Sequence, residues 1–296
     1  MLAITFLGSG SKGNAALMIF GKNAYLLDAG LSCRTIERAL AELGHSLDSL
    51  AGIFLTHDHG DHTRGLKTLL KKSSAPVYTT PGTAGALRAM GLEPGRHVAL
   101  HAGRELEVAG TRIFPFRVPH DAAEPVGFRF EKNGRVLGIA TDLGCITDPV
   151  LRHLADCDLL CIESNYDDDL LAVCSYPDWL KHRIRGPLGH LPNPGVRGIL
   201  SRLKRPLEHL LLVHVSQESN TPEHVLENLS SLAGFGHLKK TSITVATQDE
   251  PTPLRTCSPI RCRQELLFLD DSPSVSSPAP APSPVPLSES ESGTRL

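Results

Sequence analysis

The sequence predicts an α/β fold of four layers, an αββα sandwich in which two β-sheets lie face to face with helices on both outer sides. Two observations predict it. Short apolar strand segments come in two batches, and each batch is followed by amphipathic or Pro-started helical segments. Asn133-Gly134 joins two strands of the second batch, and this dipeptide is the strongest short hairpin signal. The same pattern is compatible with a plainer α/β sheet.

In chain order, residues 3–7, 15–20 and 24–28 read as strands separated by Gly turns. The opening residues 1–7 are apolar but lack a basic start and run straight into Gly8-Ser9-Gly10-Ser11, which reads as a first strand rather than a signal peptide. Ser32 then caps a helix to about Leu43, with Ile36, Leu40 and Leu43 on one face. Residues 52–56 form a buried strand, 63–72 a helix, 75–79 a strand and 83–90 a helix. The second batch comprises strands at 112–118, 126–131, 135–141 and 159–162. Helices at 177–185, 194–203 and 222–232 each carry Pro in the first turn, and strands at 210–213 and 242–246 complete the set.

The chain has 296 residues, enough to bury a sizeable core in one large domain. From 271 to 296, 14 of 26 residues are Pro or Ser, a composition that buries too little surface to offset its ordering entropy. The sequence therefore divides into a folded domain at 1–250 and a Pro/Ser-rich disordered tail at 251–296. A net charge of −2 excludes a strongly basic whole-protein binder of nucleic acid, though not a local basic groove. No stretch approaches the roughly 20 apolar residues of a spanning helix, so no membrane association is expected. Seven Cys without a C-x-x-C pair fit reduced thiols and a cytoplasmic location.

The chemistry concentrates in His57-Asp58-His59-Gly60-Asp61-His62, where three His and two Asp occupy six residues between a core strand and a helix. His57 and His59 are two apart, so in extended chain both rings project to one side. Imidazole and carboxylate are the ligands of zinc, manganese and iron sites. Three other polar residues follow apolar strands: His120, Asp142 and His214. One His at a strand end is commonly structural, but three such positions together point to a shared metal site.

On those residues the chain resembles the metallo-β-lactamase superfamily, whose signature is H-x-H-x-D-H, then a His, an Asp after a strand and a last His. The resemblance spans roughly residues 1–248. It implies the αββα fold and a pair of divalent ions, zinc or manganese. By position, His57, His59 and His120 resemble the first metal site, Asp61, His62 and His214 the second, and Asp142 the carboxylate that bridges them. Asp28 matches the family's buried Asp, which supports the metal loop from behind. Oxygen-reducing relatives carry Glu where His59 stands, and lactamases use Cys where Asp142 stands, so the set resembles that of a true dimetal hydrolase.

Narrower features resemble a subgroup, the YycJ (WalJ) type, linked to exonuclease action on DNA. They are Gly8–Asn14, Glu163-Ser164-Asn165-Tyr166-Asp167, Tyr176-Pro177, and Gly189-His190-Leu191 with Asn193. The chain departs from the subgroup at Tyr166, usually His, and at Pro192, usually Ser.

The resemblance implies a phosphodiesterase with a metal-bridging hydroxide as nucleophile, since zinc lowers the pKa of bound water from about 15.7 to about 7. Two divalent cations less Asp61, Asp142 and one hydroxide leave a net charge near +1, suited to an anionic phosphodiester. Asp61 and His190 are the candidate catalytic residues, His190 as phosphate donor or leaving-group acid. Asn14, Lys181, Arg183 and Asn193 are candidate substrate contacts, Lys181 and Arg183 lying on a basic predicted helix just before His190. Nucleic acid is the expected substrate, with no obligate protein partner evident. Two other functions stay open. A thioester or lactone hydrolase of the glyoxalase II or lactonase type would need an added helical domain that residues 248–296 are too Pro/Ser-rich to form. A catalytically silent nucleic-acid-binding protein usually lacks metal ligands, and none is missing here.

Overall fold

Along β1 (Leu2–Gly8) every residue is buried, which happens only when both faces of a strand are covered. The computed structural model shows what covers them; it describes residues 1–203, 205–230 and 238–259. Leu2, Ile4 and Phe6 pack into a core between two sheets, whereas Leu7 packs with helices on the other side. The same alternation splits β2 (Ala15–Phe20), with Met18 and Phe20 inward and Leu17 outward, and β3 (Asn23–Leu27), with Tyr25 inward and Leu26 outward.

The first sheet has the order β14-β1-β2-β3-β4-β5-β6, adding β4 (Leu50–Phe54), β5 (Val77–Thr79), β6 (His97–Ala99) and β14 (Arg255–Cys257). Helices α1 (Cys33–Glu42), α3 (Leu66–Lys72) and α4 (Pro81–Ala89) cover its outer face through Ile36, Leu40, Leu66, Leu69 and Leu87. The second sheet has the order β13-β12-β11-β10-β9-β8-β7. Its strands are β7 (Leu106–Val108), β8 (Thr111–Arg117), β9 (Val126–Lys132), β10 (Arg135–Ala140), β11 (Leu159–Glu163), β12 (His209–Val213) and β13 (Ser242–Val245). Helices α5 (Asp148–Leu154), α8 (Asn193–Leu200) and α9 (Pro222–Ser230) cover this sheet. Two short helices, α2 (Gly60–Thr63) and α6 (Asp168–Val173), and α7 (Asp178–Arg185) lie at the rim. This is the four-layer αββα arrangement.

Aromatic rings fill the space between the sheets. Phe54 stacks on Tyr78 at 4.6 Å and meets Phe128 and Phe130 edge-on, while Phe20 sits 4.9 Å from Phe130. Asn133 and Gly134 both have positive φ, 50° and 73°, as a tight two-residue hairpin between β9 and β10 requires.

Three expectations about elements change. The helix expected at 63–72 is broken after Thr63, because Gly65 passes so close to Ala29 and Leu31 that it starts a new helix. Strands β6 and β7 and helices α5 and α6 were not anticipated; the strands are three residues long and half exposed, too short for a period-2 signal, and the helices have only seven and six residues. The folded domain also extends past residue 250. Thr252 exchanges backbone and side-chain hydrogen bonds with Phe6, and β14 pairs antiparallel with β1 (Ala3 with Thr256). Pro251 and Pro253 flank that contact, and their density hid an edge strand. The Pro/Ser-rich part of the expected tail, residues 260–296, lies outside the described residues. Among the described residues, no helix is long and apolar enough to cross a membrane.

Candidate metal centre

Strands β3, β4, β10, β11 and β12 run parallel or end at the same rim, and their C-terminal ends deliver the polar residues there. Asp28 follows β3, His57 follows β4, Asp142 follows β10, Glu163 ends β11 and His214 follows β12. Ligand sites of α/β sheets form in such a crevice at strand carboxyl ends. Three of these residues hold a left-handed backbone rare for residues other than Gly: Asp28 at φ 55°, Asp142 at 55° and His214 at 53°. Each such conformation costs on the order of 1–3 kcal/mol and turns the side chain out of the strand line into the crevice.

The predicted residues come together in two groups whose donor atoms lie within 4.8 Å of one another. One is His57, His59 and His120; the other is Asp61, His62, Asp142 and His214. Asp142 faces both, with Oδ1 3.6 Å from His120 Nε2 and Oδ2 3.2 Å from His62 Nε2. His59 Nδ1 lies 3.2 Å from His120 Nε2. Two nitrogens bonded at about 2.1 Å to one tetrahedral ion stand about 3.4 Å apart, so this spacing suits a shared cation.

The surroundings fix which ring atoms face inward. His62 Nδ1 donates to Asp28 Oδ2 at 2.8 Å, His120 Nδ1 to Gly189 O at 3.0 Å and His214 Nδ1 to Glu163 Oε1 at 3.0 Å. Each leaves Nε2 for the centre, the arrangement that orients metal-binding imidazoles. Asp28 Oδ1 also accepts from Thr56 N at 2.8 Å, which ties the His loop to β3. Gly30 lets the segment after β3 pass beneath residues 61 and 62 of this loop, because a Cβ there would overlap Asp61 O.

Among the described residues buried polar atoms without partners are few, yet His57 Nε2 and Asp142 Oδ2 are two of them, both in this centre. Divalent cations would satisfy both, and the His/Asp donor set fits a dimetal site of this kind. Burial, reinforced by His62, keeps His57 well below the usual imidazole range, and burial likewise lowers His120; both present lone pairs. Burial also disfavours charge on His62 and His214, but Asp142 and its neighbouring carboxylates pull His62 well up and His214 up to about 10. Without metal, protons thus hold the positive charge that the carboxylates demand.

A cleft of about 350 Å³ opens over the centre, lined by Asp61, Asp142, His214, His190, Arg183 and Tyr176 among others. His190 donates Nδ1–H to Glu163 Oε1 at 2.7 Å, and Arg183 forks onto Asp121 at 2.6 and 3.0 Å. The other three expected substrate contacts lie elsewhere. Asn14 is buried, with Oδ1 accepting from Ser9 Oγ at 2.9 Å and Nδ2 3.2 Å from His62 Nε2, so it braces the loop rather than lining the cleft. Asn193 is buried and bonded to Ser164 and Asn220. Lys181 Nζ donates to Ala172 O at 2.8 Å, within its own rim. Small polar residues in a Gly-rich or Pro-started motif look alike in sequence whether they face solvent or brace a loop.

Glu163 was not singled out for a role. It is fully buried, accepts from both His190 and His214, and takes the amides of Leu143 and Leu191 on Oε2 at 2.7 and 3.1 Å. Burial opposes its ionisation, yet the two imidazoles, His190 first, hold it down to about 2. Its signal was available: one acid closing an apolar strand, the same sign that marked Asp142 and His214.

The family model described as "Beta-lactamase superfamily domain" matches residues 23–215. The chain belongs to the metallo-β-lactamase superfamily. Among superfamily relatives it is 30% identical over 241 residues to Exodeoxyribonuclease YycJ of Bacillus anthracis, covering 79% of this chain and 91% of the relative. It is 32% identical over 224 residues to Exodeoxyribonuclease WalJ of Streptococcus pneumoniae, covering 74% and 83%. Two solved members of the superfamily's fold are YhfI from Bacillus subtilis and Zn(2+)-bound PqqB from Methylobacterium extorquens. YhfI has a TM-score of 0.66 at 14% identity, covering 86% of this chain and 100% of that one. PqqB has 0.62 at 19%, covering 85% and 99%. At such identities these two speak for the fold alone. The chain is therefore a metal-dependent hydrolase of the superfamily.

Tyr166 and Pro192, the two departures from the subgroup pattern, form one β-bridge with each other. Tyr166 is buried in a small apolar cluster with Leu171 and Ile184, beneath α7. Neither side chain lines the cleft.

Proposed function

We propose that the chain is a dimetal nuclease that cleaves phosphodiesters in DNA, working from a chain end, with zinc or manganese as its metals. The observation that carries this reading is the placement of Asp142 between two converging donor groups, beneath a cleft lined by Arg183 and His190. The names of the relatives that span most of the chain point the same way. Divalent cations held by His57, His59, His120, Asp61, His62, Asp142 and His214 supply Lewis acidity and an ionised water at neutral pH.

The chain's own residues then have separate tasks. Asp61 Oδ2, 3.3 Å from His214 Nε2 and 3.4 Å from His62 Nε2, stands at the cleft floor, where it orients the attacking water. Arg183 offers a planar fork matched to phosphate oxygens, exchanging Asp121 for the substrate. His190 is held by Glu163 through Nδ1, so Nε2 faces the leaving oxygen as hydrogen-bond donor or acid.

The test is a panel of labelled single- and double-stranded DNA and RNA, with 5′ phosphate or hydroxyl ends, assayed with zinc and with manganese. Stepwise shortening of DNA in the wild-type chain, absent in Asp142→Ala, is the expected result. Turnover of thioesters or lactones without any phosphodiester cleavage overturns the reading.

A further inference from the structure

A second donor cluster lies away from the cleft. Glu208, His209 and Cys257 each offer an atom within 4.8 Å of the others. His209 opens β12 and His214 follows its end, so extended chain puts about 16 Å between the two sites. Cys257 belongs to the other sheet, closing β14 opposite Leu2 of β1.

The protonation state of His209 follows from its neighbours. Its Nε2 meets Thr256 O at 3.2 Å, and a carbonyl only accepts, so Nε2 carries the proton. Nδ1 is left with a bare lone pair, and it is buried with no hydrogen-bond partner. A ring N–H held by a carbonyl with the other nitrogen open is how metal-binding imidazoles are set. Glu208 Oε1 accepts from Arg135 Nη1 at 2.6 Å, and Arg135 Nη1 also donates to Asp158 at 2.9 Å. One Arg against two carboxylates leaves a single negative charge. A Cys257 thiolate would make two, the charge of one divalent cation.

We propose that Glu208, His209 and Cys257 bind a divalent ion of the zinc class, with water in the fourth position, and so clamp the edge strand β14 to β12 of the facing sheet. Thiolate, imidazole and carboxylate are all zinc donors. On binding, the Cys257 S–H bond breaks, the S–metal bond forms and the proton goes to solvent.

Cobalt separates this site from the cleft. The donors of the cleft groups are nitrogen and oxygen only, whereas a cobalt–thiolate bond gives an intense near-ultraviolet charge-transfer band. The full chain, stripped of metal and titrated with Co²⁺, is expected to show that band. In Cys257→Ser it should fall to baseline, with cobalt content lower by one ion per chain and the visible bands of the cleft retained. His209→Gln should weaken cobalt binding at this site at least about tenfold, and far-ultraviolet circular dichroism checks that both variants fold. Absence of the band in the wild-type chain, or a band undiminished in folded Cys257→Ser, overturns the proposal.

Discussion

Asp28 reaches His62 and Thr56 but not the cleft, so its effect on the centre passes through the His loop. Asp28→Asn keeps the shape and loses the charge, and is expected to lower metal affinity by about 10–100-fold, read by competition with a chelator. His57→Ala or Asp142→Ala removes a donor outright and should cut turnover by about three orders of magnitude or more. Glu163 gives a pH-dependent expectation for the metal-free chain. Its pKa is about 2 folded against an ordinary 4.5, so its stabilisation is whole above 4.5 and is lost as pH falls toward 2. That is on the order of 3 kcal/mol. Urea midpoints across the acid range should fall steeply for wild type and less steeply for Glu163→Gln. The residues that converge at the centre were legible in sequence because ionisable groups have no packing reason to follow core strands. Asn14 and Asn193, expected as substrate contacts, lie buried as braces, and sequence does not separate the two because both use the same amide chemistry.

Helix α7 brings one cation to the cleft and turns the others away. Arg183 lines it, Lys181 is bonded to Ala172 O, and Arg185 donates to Asp168 O at 3.1 Å. Arg183→Ala should therefore raise KM for DNA and flatten the salt dependence by about one phosphate contact, while Lys181→Ala leaves both nearly unchanged. Salt-dependent kinetics on the two variants decide this. Sequence placed the basic helix beside His190 correctly, but which face turned inward depended on Ile184 packing against Tyr166, a long-range contact without a local signal. The same limit applies to β14, whose pairing with β1 spans the whole domain. A chain cut after residue 250 loses the buried Thr252 and Cys257 contacts and should be destabilised on the order of 2 kcal/mol or more, read from its Tm.

At the scale of the molecule, two sheets carry one centre: Asp28 and the His57–His62 loop come from the first, His120, Asp142 and His214 from the second. Metal binding therefore ties the sandwich together at its rim. Free metal about 100-fold above Kd adds about 2.7 kcal/mol per site, so chelation should lower Tm by several degrees, checked by calorimetry with and without chelator. The two-batch strand pattern suggested this architecture, because each strand buried on both faces shows as a continuous apolar run, but it left a plainer α/β sheet open and the resemblance made the choice. Half-exposed edge strands such as β6 and β7 escaped, since their short segments carry neither an apolar run nor a clear alternation.

The chain has a single Trp, and Trp179 stands 68% exposed on α7, one helical turn before Arg183. Excited at wavelengths longer than tyrosine absorbs, the chain consequently emits from α7 alone. Steady-state or stopped-flow fluorescence of the unlabelled protein, excited in that way, can therefore time substrate arrival and product departure at that rim without signal from Tyr25 and Tyr78 in the core.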